Sequence, residues 1–147
     1  MPETAQIRRA RLEEADLLTA LTMRSKAHWQ YDAAFLAAAR QELEFPPGKF
    51  LRDFRVYVLE QAGKIAGFYS LIPLPPERIE LNDLFVEPSR IGKGHGKRLW
   101  DHAIDLSRRL GFRKLVLTAD PHAEPFYLRQ GAVRVNDLPI LEYRLRE

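Results

Sequence analysis

The sequence predicts a domain of the α/β (α+β) class, in which about seven strands form a sheet flanked by about four helices. Three observations carry this expectation. Apolar residues alternate with a strand period around Val56, Val58, Ala66 and Phe68, and return every three to four residues from Leu99 to Leu110. The two periods interleave along the chain in the order β-α-α-β-β-β-α-β-α-β-β. A length of 147 residues, 46% hydrophobic and 29% charged, suits one domain over 1–147 with a single core.

Gln6 to Ala10 is the first short strand. A helix follows from about Glu13 to Lys26, with Leu17, Leu18 and Leu21 on one face and Glu13, Glu14 and Asp16 near its positive end. Asp32 is placed to cap a second helix, Ala33 to about Leu43, which Pro46-Pro47 ends. Two strands then surround Gln61-Ala62-Gly63, read as a three-residue hairpin connection, and Pro73, Pro75 and Pro76 close the second of them. In the strand Ile79 to Val86 the apolar positions are Ile79 and Leu81, then Leu84 and Val86. The alternation slips by one residue at Asn82-Asp83, which suggests a β-bulge.

After Pro88 a glycine-rich stretch leads into the clearest helix, with Leu99, Ala103, Leu106 and Leu110 in phase and Gly111 at its end. Lys114 to Thr118 reads as a buried strand and Pro125 to Gln130 as a short helix with Gly131 after it. Ala132 to Val135 and Ile140 to Leu145 read as the last two strands.

Composition removes several function classes. No apolar run reaches the roughly 20 residues that cross a bilayer, and the first eleven residues carry three arginines without an apolar stretch. Membrane insertion and secretion are therefore disfavoured, and a cytoplasmic location is the expectation. The chain has no cysteine, which excludes thiolate nucleophiles, disulfides and cysteine metal sites. His95 and His102 lie seven apart without a third ligand at useful spacing, so no metal is expected. The net charge of +3 is unevenly distributed: Pro88 to Lys114 holds eight Lys and Arg against two Asp, leaving −3 on the other 120 residues.

That basic segment contains Gly92-Lys93-Gly94-His95-Gly96-Lys97 between a strand and a helix. Alternate glycines let several backbone N–H groups converge on one anion, and the helix dipole strengthens the attraction, so a phosphate or pyrophosphate is the natural ligand. A Walker A loop ending at Gly96-Lys97 would need Gly at Ile91 and Ser or Thr at Arg98. A dinucleotide fingerprint would need a third glycine where Lys97 stands. Neither fits, and taken alone the cluster is also consistent with a flexible connecting turn.

The stretch Leu84-Phe85-Val86-Glu87-Pro88 through Leu99-Trp100 resembles motif A of the GNAT superfamily of acetyl-CoA-dependent N-acetyltransferases. Its pattern is Arg or Gln, two residues, Gly, one residue, Gly or Ala. Gly94 and Gly96 fill the glycine slots, while Ile91 stands at the Arg or Gln position and Arg90 one residue before it. Ala119 to Ala132, with Phe126-Tyr127 and Gly131, is similar to motif B of the same family. The resemblance implies a mixed, mostly antiparallel sheet that splays open at the bulged strand to admit the pantetheine arm.

It also implies acetyl transfer from acetyl-CoA to a primary amine by direct attack in a ternary complex. Coenzyme contacts would come from the backbone of Phe85 and Val86, from Arg90, Ile91, Gly92, Lys93, Gly94, His95, Gly96 and Lys97, and from Asp120 and Phe126. Arg98 is a further source of positive charge. Tyr127 matches the tyrosine that protonates or hydrogen-bonds the departing thiolate; a core aromatic would leave the same signature. An amine protonated at neutral pH needs a base, and Glu80 shares a strand face with Asn82 that is able to line the cleft; Asp83 is the second choice. Asn82, Trp29 and Tyr31 are the acceptor-binding candidates, an aromatic pair being suited to a carbon chain or a cation.

Small-molecule and peptide amines both fit as acceptors, and the mildly acidic remainder is compatible with a cationic one. Nucleic acid and membrane are not expected partners, and a homodimer is allowed. The competing expectation is a module that binds acyl-CoA or nucleic acid without turnover, supported by the basic helix.

Overall fold

The computed structural model describes residues 4–28, 55–135 and 140–145. The helix expected at Ala33–Leu43, and with it Trp29 and Tyr31, lies outside the described residues. Among the described residues seven strands form one sheet: β1 (Gln6–Arg9), β2 (Arg55–Gln61), β3 (Lys64–Leu74), β4 (Arg78–Val86), β5 (Lys114–Thr118), β6 (Val133–Arg134) and β7 (Ile140–Arg144). Their order is β1-β2-β3-β4-β5-β7-β6, antiparallel at every step except the parallel β4–β5 pair. Three α-helices are described, α1 (Ala15–His28), α2 (His95–Arg109) and α3 (Glu124–Arg129).

Helix α2 covers one face of the sheet. Its buried Leu99, Ala103 and Leu106 pack in the same core as Leu71, Ile79, Leu81, Leu115 and Leu141. Gly67 permits this approach, since a Cβ there would stand 2.8 Å from the Phe85 carbonyl oxygen and 3.0 Å from the Leu99 side chain. Helix α1 covers the opposite face, packing Leu18 and Leu21 against Val56, Val58 and Phe68. Burying each leucine in this way stabilises the fold by about 1.5–3 kcal/mol.

The α1 stripe differs from the sequence expectation. Leu17 is 59% exposed, whereas Ala15, Leu18, Leu21, Thr22 and Ser25 are buried. At 100° per residue the helix cannot bury Leu17 and Leu18 equally, and the small Thr22 and Ser25 continue the Leu18 face. Thr22 remains satisfied there because its hydroxyl donates to the Leu18 carbonyl at 2.9 Å.

The β2–β3 hairpin turns through two residues, Ala62 and Gly63, with φ of 57° and 74°, instead of the expected three. A two-residue turn with positive φ at both positions matches the twist of antiparallel strands. Pro73 also lies inside β3, paired with Ile79, and does not terminate it. Register with β2 ends at Arg55↔Leu71, so the missing N–H of Pro73 breaks no described ladder on that side.

Candidate active site

The sheet opens between its two parallel strands. β4 and β5 are in register only at Arg78↔Lys114, Ile79↔Leu115 and Glu80↔Val116. Just beyond, β4 changes register against β3, from Leu71↔Leu81 to Ser70↔Asp83, leaving Asn82 as the extra residue. This is the expected bulge. It keeps Leu81 and Leu84 on the α2 face and leaves Asp83 opposite Ser70. The diverging strands, the turn before α2, the start of α3 and the end of α1 enclose a cleft of about 730 Å³.

One end of the cleft is a cradle of backbone N–H groups. Gly92 and Gly94 have φ of 87° and 80°, a region glycine enters without penalty. The first helical N–H to find an intrahelical acceptor is that of Arg98, on the Gly94 carbonyl at 3.1 Å. Those of His95, Gly96 and Lys97 precede it at the positive end of α2 and have no carbonyl a turn earlier in the helix. Gly96 serves packing instead, since a Cβ there would sit 3.3 Å from the Phe126 ring. His95 is buried with both ring nitrogens unpaired, and burial followed by the charges of Arg90, Arg98 and Lys93 holds its pKa below the usual histidine value.

The basic side chains around this cradle have protein partners. Arg90 donates to the Gln61 side-chain oxygen at 2.9 Å, Lys97 pairs with Asp101 at 2.8 Å, and Arg98 donates to the Ala5 carbonyl at 3.0 Å. The cradle is therefore mainly a backbone feature. Arg90, Ile91, Gly92, Gly94, His95, Gly96 and Lys97 line the cleft, while Lys93 lies in the same turn outside its wall.

Tyr127 lines the opposite wall, buried between the Trp100 ring at 5.7 Å and the Phe126 ring at 5.2 Å. Burial, reinforced by the carboxylates of Asp120 and Asp83, pushes its hydroxyl well above the ordinary tyrosine value, so it stays protonated across the physiological range. Phe85, Val86, Asp120 and Phe126 also line the cleft.

Asp83 and Asn82 line the centre. Asp83 Oδ2 accepts from Ser70 Oγ at 2.5 Å and from Asn82 Nδ2 at 3.0 Å. Burial pushes the Asp83 carboxyl above the ordinary carboxylate range, the two hydrogen bonds and Lys26 oppose that rise, and Glu80 adds to it. Glu80 itself belongs to the closed part of the β4–β5 ladder and is not part of the cleft wall.

Sequence reasoning missed Lys26. From the last turn of α1 its Nζ pairs with Asp120 Oδ2 at 2.7 Å and lies 5.6 Å from the centre of the Phe85 ring. It thereby spans from one helix to the chain leaving β5, a contact between residues 94 apart that no local pattern announces. His122, also in the wall, is held below the usual histidine pKa by burial, which the Asp120 carboxylate opposes. Among the described residues no group of three His, Asp or Glu side chains is placed to hold a metal, and no helix is long and apolar enough to cross a membrane.

Comparison with known proteins agrees with this fold. A family model described as "Acetyltransferase (GNAT) family" matches residues 18–132. An amino-acid acetyltransferase of Ralstonia nicotianae is 38% identical over 86 residues, covering 56% of this chain, and the chain spans 19% of that relative's length. Among solved structures, the PaiA N-acetyltransferase of Thermoplasma acidophilum, in complex with coenzyme A, superposes with a TM-score of 0.84 at 20% identity. That match covers 96% of this chain and 99% of the other. A GNAT family acetyltransferase of Brucella melitensis, in complex with acetyl-CoA, gives 0.70 at 20% identity, covering 98% and 90%.

Proposed function

The chain belongs to the acetyltransferase (GNAT) family, and from that premise we propose that it transfers an acetyl group from acetyl-CoA to a primary amine by direct attack in a ternary complex. The observation that carries this reading is a single cleft with an N–H-rich glycine turn at one end and a protonated tyrosine and a perturbed carboxyl farther along. The turn suits a pyrophosphate through the backbone of residues 92–97. The opened edge of β4 at Phe85 and Val86 offers backbone groups to a pantetheine amide. Two structures of the same fold, solved in complex with coenzyme A and with acetyl-CoA, support acetyl-CoA as the cosubstrate.

In the reaction the amine nitrogen attacks the carbonyl carbon of the thioester, the C–S bond breaks, and the sulfur leaves with its electron pair. Tyr127 donates its phenolic proton, or a hydrogen bond, to that sulfur. The attacking amine must first lose a proton, and Asp83 is the base. What supports Asp83 over Glu80 is its position in the cleft wall and a pKa raised toward that of an amine, which narrows the gap for proton transfer. Asn82 and Ser70 hold the carboxylate in place.

Free-thiol release measured over a panel of primary amines tests this reading. Turnover with at least one amine, together with a rise in melting temperature in acetyl-CoA, is the expected result. Saturation at 100 times Kd stabilises a native state by about 2.7 kcal/mol. A melting temperature unmoved by millimolar acetyl-CoA overturns the coenzyme assignment, while stabilisation without thiol release from any amine indicates binding without turnover.

A further inference from the structure

Among the described residues the ladder between β4 and β5 ends at Glu80↔Val116, so sheet hydrogen bonds do not fix the gap between the strands beyond it. The last turn of α1 lies across that gap. Arg24 donates through Nε and Nη2 to the two carboxylate oxygens of Glu87, each at 2.8 Å. Glu87 directly follows β4, and its N–H donates to the Ala66 carbonyl of β3 at 2.8 Å, which makes it an anchor on the β4 side. From the same turn Lys26 Nζ pairs with Asp120 Oδ2 at 2.7 Å, just past the end of β5. Two ion pairs on one helical turn thus reach the ends of the two strands that part.

The form of the pairs suits a fixed span. The Arg24 contact is two-pronged, which holds guanidinium and carboxylate in one relative orientation where a single-point pair at the surface would contribute little. Lys26 also stands over the Phe85 ring of β4 at 5.6 Å, so it touches both walls. Phe85, Lys26 and Asp120 line the cleft, whereas Arg24 and Glu87 do not. Any effect of the Arg24–Glu87 pair on the coenzyme must therefore pass through the placement of β4 relative to α1 and β5.

We propose that the last turn of α1 sets the width of the cleft, with Arg24 the positioning residue on the β4 side and Lys26, through Asp120, its counterpart on the β5 side. The inference rests on the acetyl-transfer reading above and adds to it a residue outside the cleft wall. Width matters because the two walls serve one molecule: the edge of β4 at Phe85 and Val86 holds the pantetheine, and Tyr127 on the opposite wall has to reach its sulfur. A misplacement of about 1 Å between such groups is enough to cost about 10²-fold in rate.

The test uses the full chain, whose lack of cysteine lets two spin labels be placed at chosen sites. Ser89→Cys, in the turn after β4, and Leu128→Cys, in α3 after β5, are exposed and lie outside the cleft wall, so the distance between their labels reports the opening. In Arg24→Gln, at a side chain 54% exposed, the distance distribution should lengthen and broaden. The Kd for acetyl-CoA should rise by about 3- to 10-fold, the range of one well-aligned surface pair, and kcat should fall with it. Glu87→Gln should cost as much, the two changes together no more than either alone, and Arg24→Lys should recover part of the loss. Additive losses overturn the pairing of Arg24 with Glu87 as the cause. An unaltered distribution in Arg24→Gln/Lys26→Gln overturns the inference and leaves acetyl transfer standing. A broadened distribution with Kd and kcat unmoved overturns the positioning role of Arg24. Absence of thiol release from every amine by the unaltered protein overturns acetyl transfer, and the distance distributions then decide by themselves whether α1 sets the opening.

Discussion

Ser70 Oγ donates to Asp83 Oδ2 at 2.5 Å, directly across the register change that leaves Asn82 unpaired in β4. The bond favours the ionised carboxyl, and burial favours the neutral one. Ser70→Ala removes the favourable part. The pKa of Asp83 then rises further, and with Asp83 as the proposed base, acting as a carboxylate, the acid limb of the kcat/KM profile is expected to move to higher pH. A charged hydrogen bond is worth enough to shift that limb by about one pH unit. An unmoved limb in Ser70→Ala would assign the base elsewhere, with Glu80 next to test.

Tyr127→Phe deletes the hydroxyl while leaving the ring against Trp100 and Phe126. Loss of a positioned acid should lower kcat by about 10²-fold. Because the packing is retained, stability should change by no more than about 1 kcal/mol. Thermal melts alongside steady-state rates separate the two effects. Turnover equal to that of the unaltered protein would mean the sulfur leaves without help from this hydroxyl.

Much of this arrangement is legible in the sequence because it is local. The slip at Asn82-Asp83 is visible as a fault in alternation, and the glycine turn as spacing between a strand and a helix. The family motifs lie in the glycine turn with its flanks and in Ala119 to Ala132, each a continuous stretch of chain. Lys26 is invisible for the opposite reason, since it joins the cleft only once α1 crosses the sheet and its partner is 94 residues away. Leu17 differs because two adjacent leucines fit the same helical spacing and only the Leu18–Thr22–Ser25 phase meets the sheet, and the turn at Ala62-Gly63 differs because a glycine at its end does not reveal that Ala62 also takes positive φ. The choice between Glu80 and Asp83 depends on where β4 and β5 part, which a strand pattern does not contain.

Two glycines of the turn should respond differently to alanine. At Gly94 a Cβ has open space but φ is 80°, so the backbone must leave its conformation or carry strain. A left-handed conformation costs a non-glycine residue about 1–2 kcal/mol. If that strain is relieved by turning the N–H groups away from the coenzyme, affinity for acetyl-CoA falls by about 5- to 30-fold. Gly96 lies within the helix, where Ala is ordinarily favourable, and a Cβ there would meet the Phe126 ring at 3.3 Å and the Val86 side chain at 3.9 Å, both of them side chains able to shift. Gly96→Ala should therefore raise the KM for acetyl-CoA less than Gly94→Ala does. The reverse order would show that packing at Phe126, and not N–H convergence, holds the coenzyme.

Outside the cleft, acid stability should depend on a half-buried ionic cluster. Arg8 donates to both oxygens of Glu14, at 3.0 and 2.8 Å, and to Glu60 at 2.6 Å; Glu14 also accepts from the Arg11 backbone at 2.8 Å. The Arg8 hydrogen bond, against the cost of burial, holds the Glu14 carboxyl below its ordinary value of 4.5. A carboxyl with a lowered folded-state pKa stabilises the fold above its unfolded pKa, and that contribution is lost as pH falls through the folded value. Glu14→Gln should therefore be less stable than the unaltered protein at pH 7, with the two melting curves converging as the buffer is taken below about pH 4. Arg8→Met should be worse at pH 7, by about 1–2 kcal/mol, because it leaves two partly buried carboxylates without their cation. The double variant Arg8→Met/Glu14→Gln should recover part of that loss, since the damage in the single variant comes from an uncompensated charge and not from a missing attraction. If the double variant is less stable than Arg8→Met, Glu14 contributes chiefly through its bond to the Arg11 backbone, and the gap between the variants should then narrow in acid, because that bond also favours the ionised carboxyl.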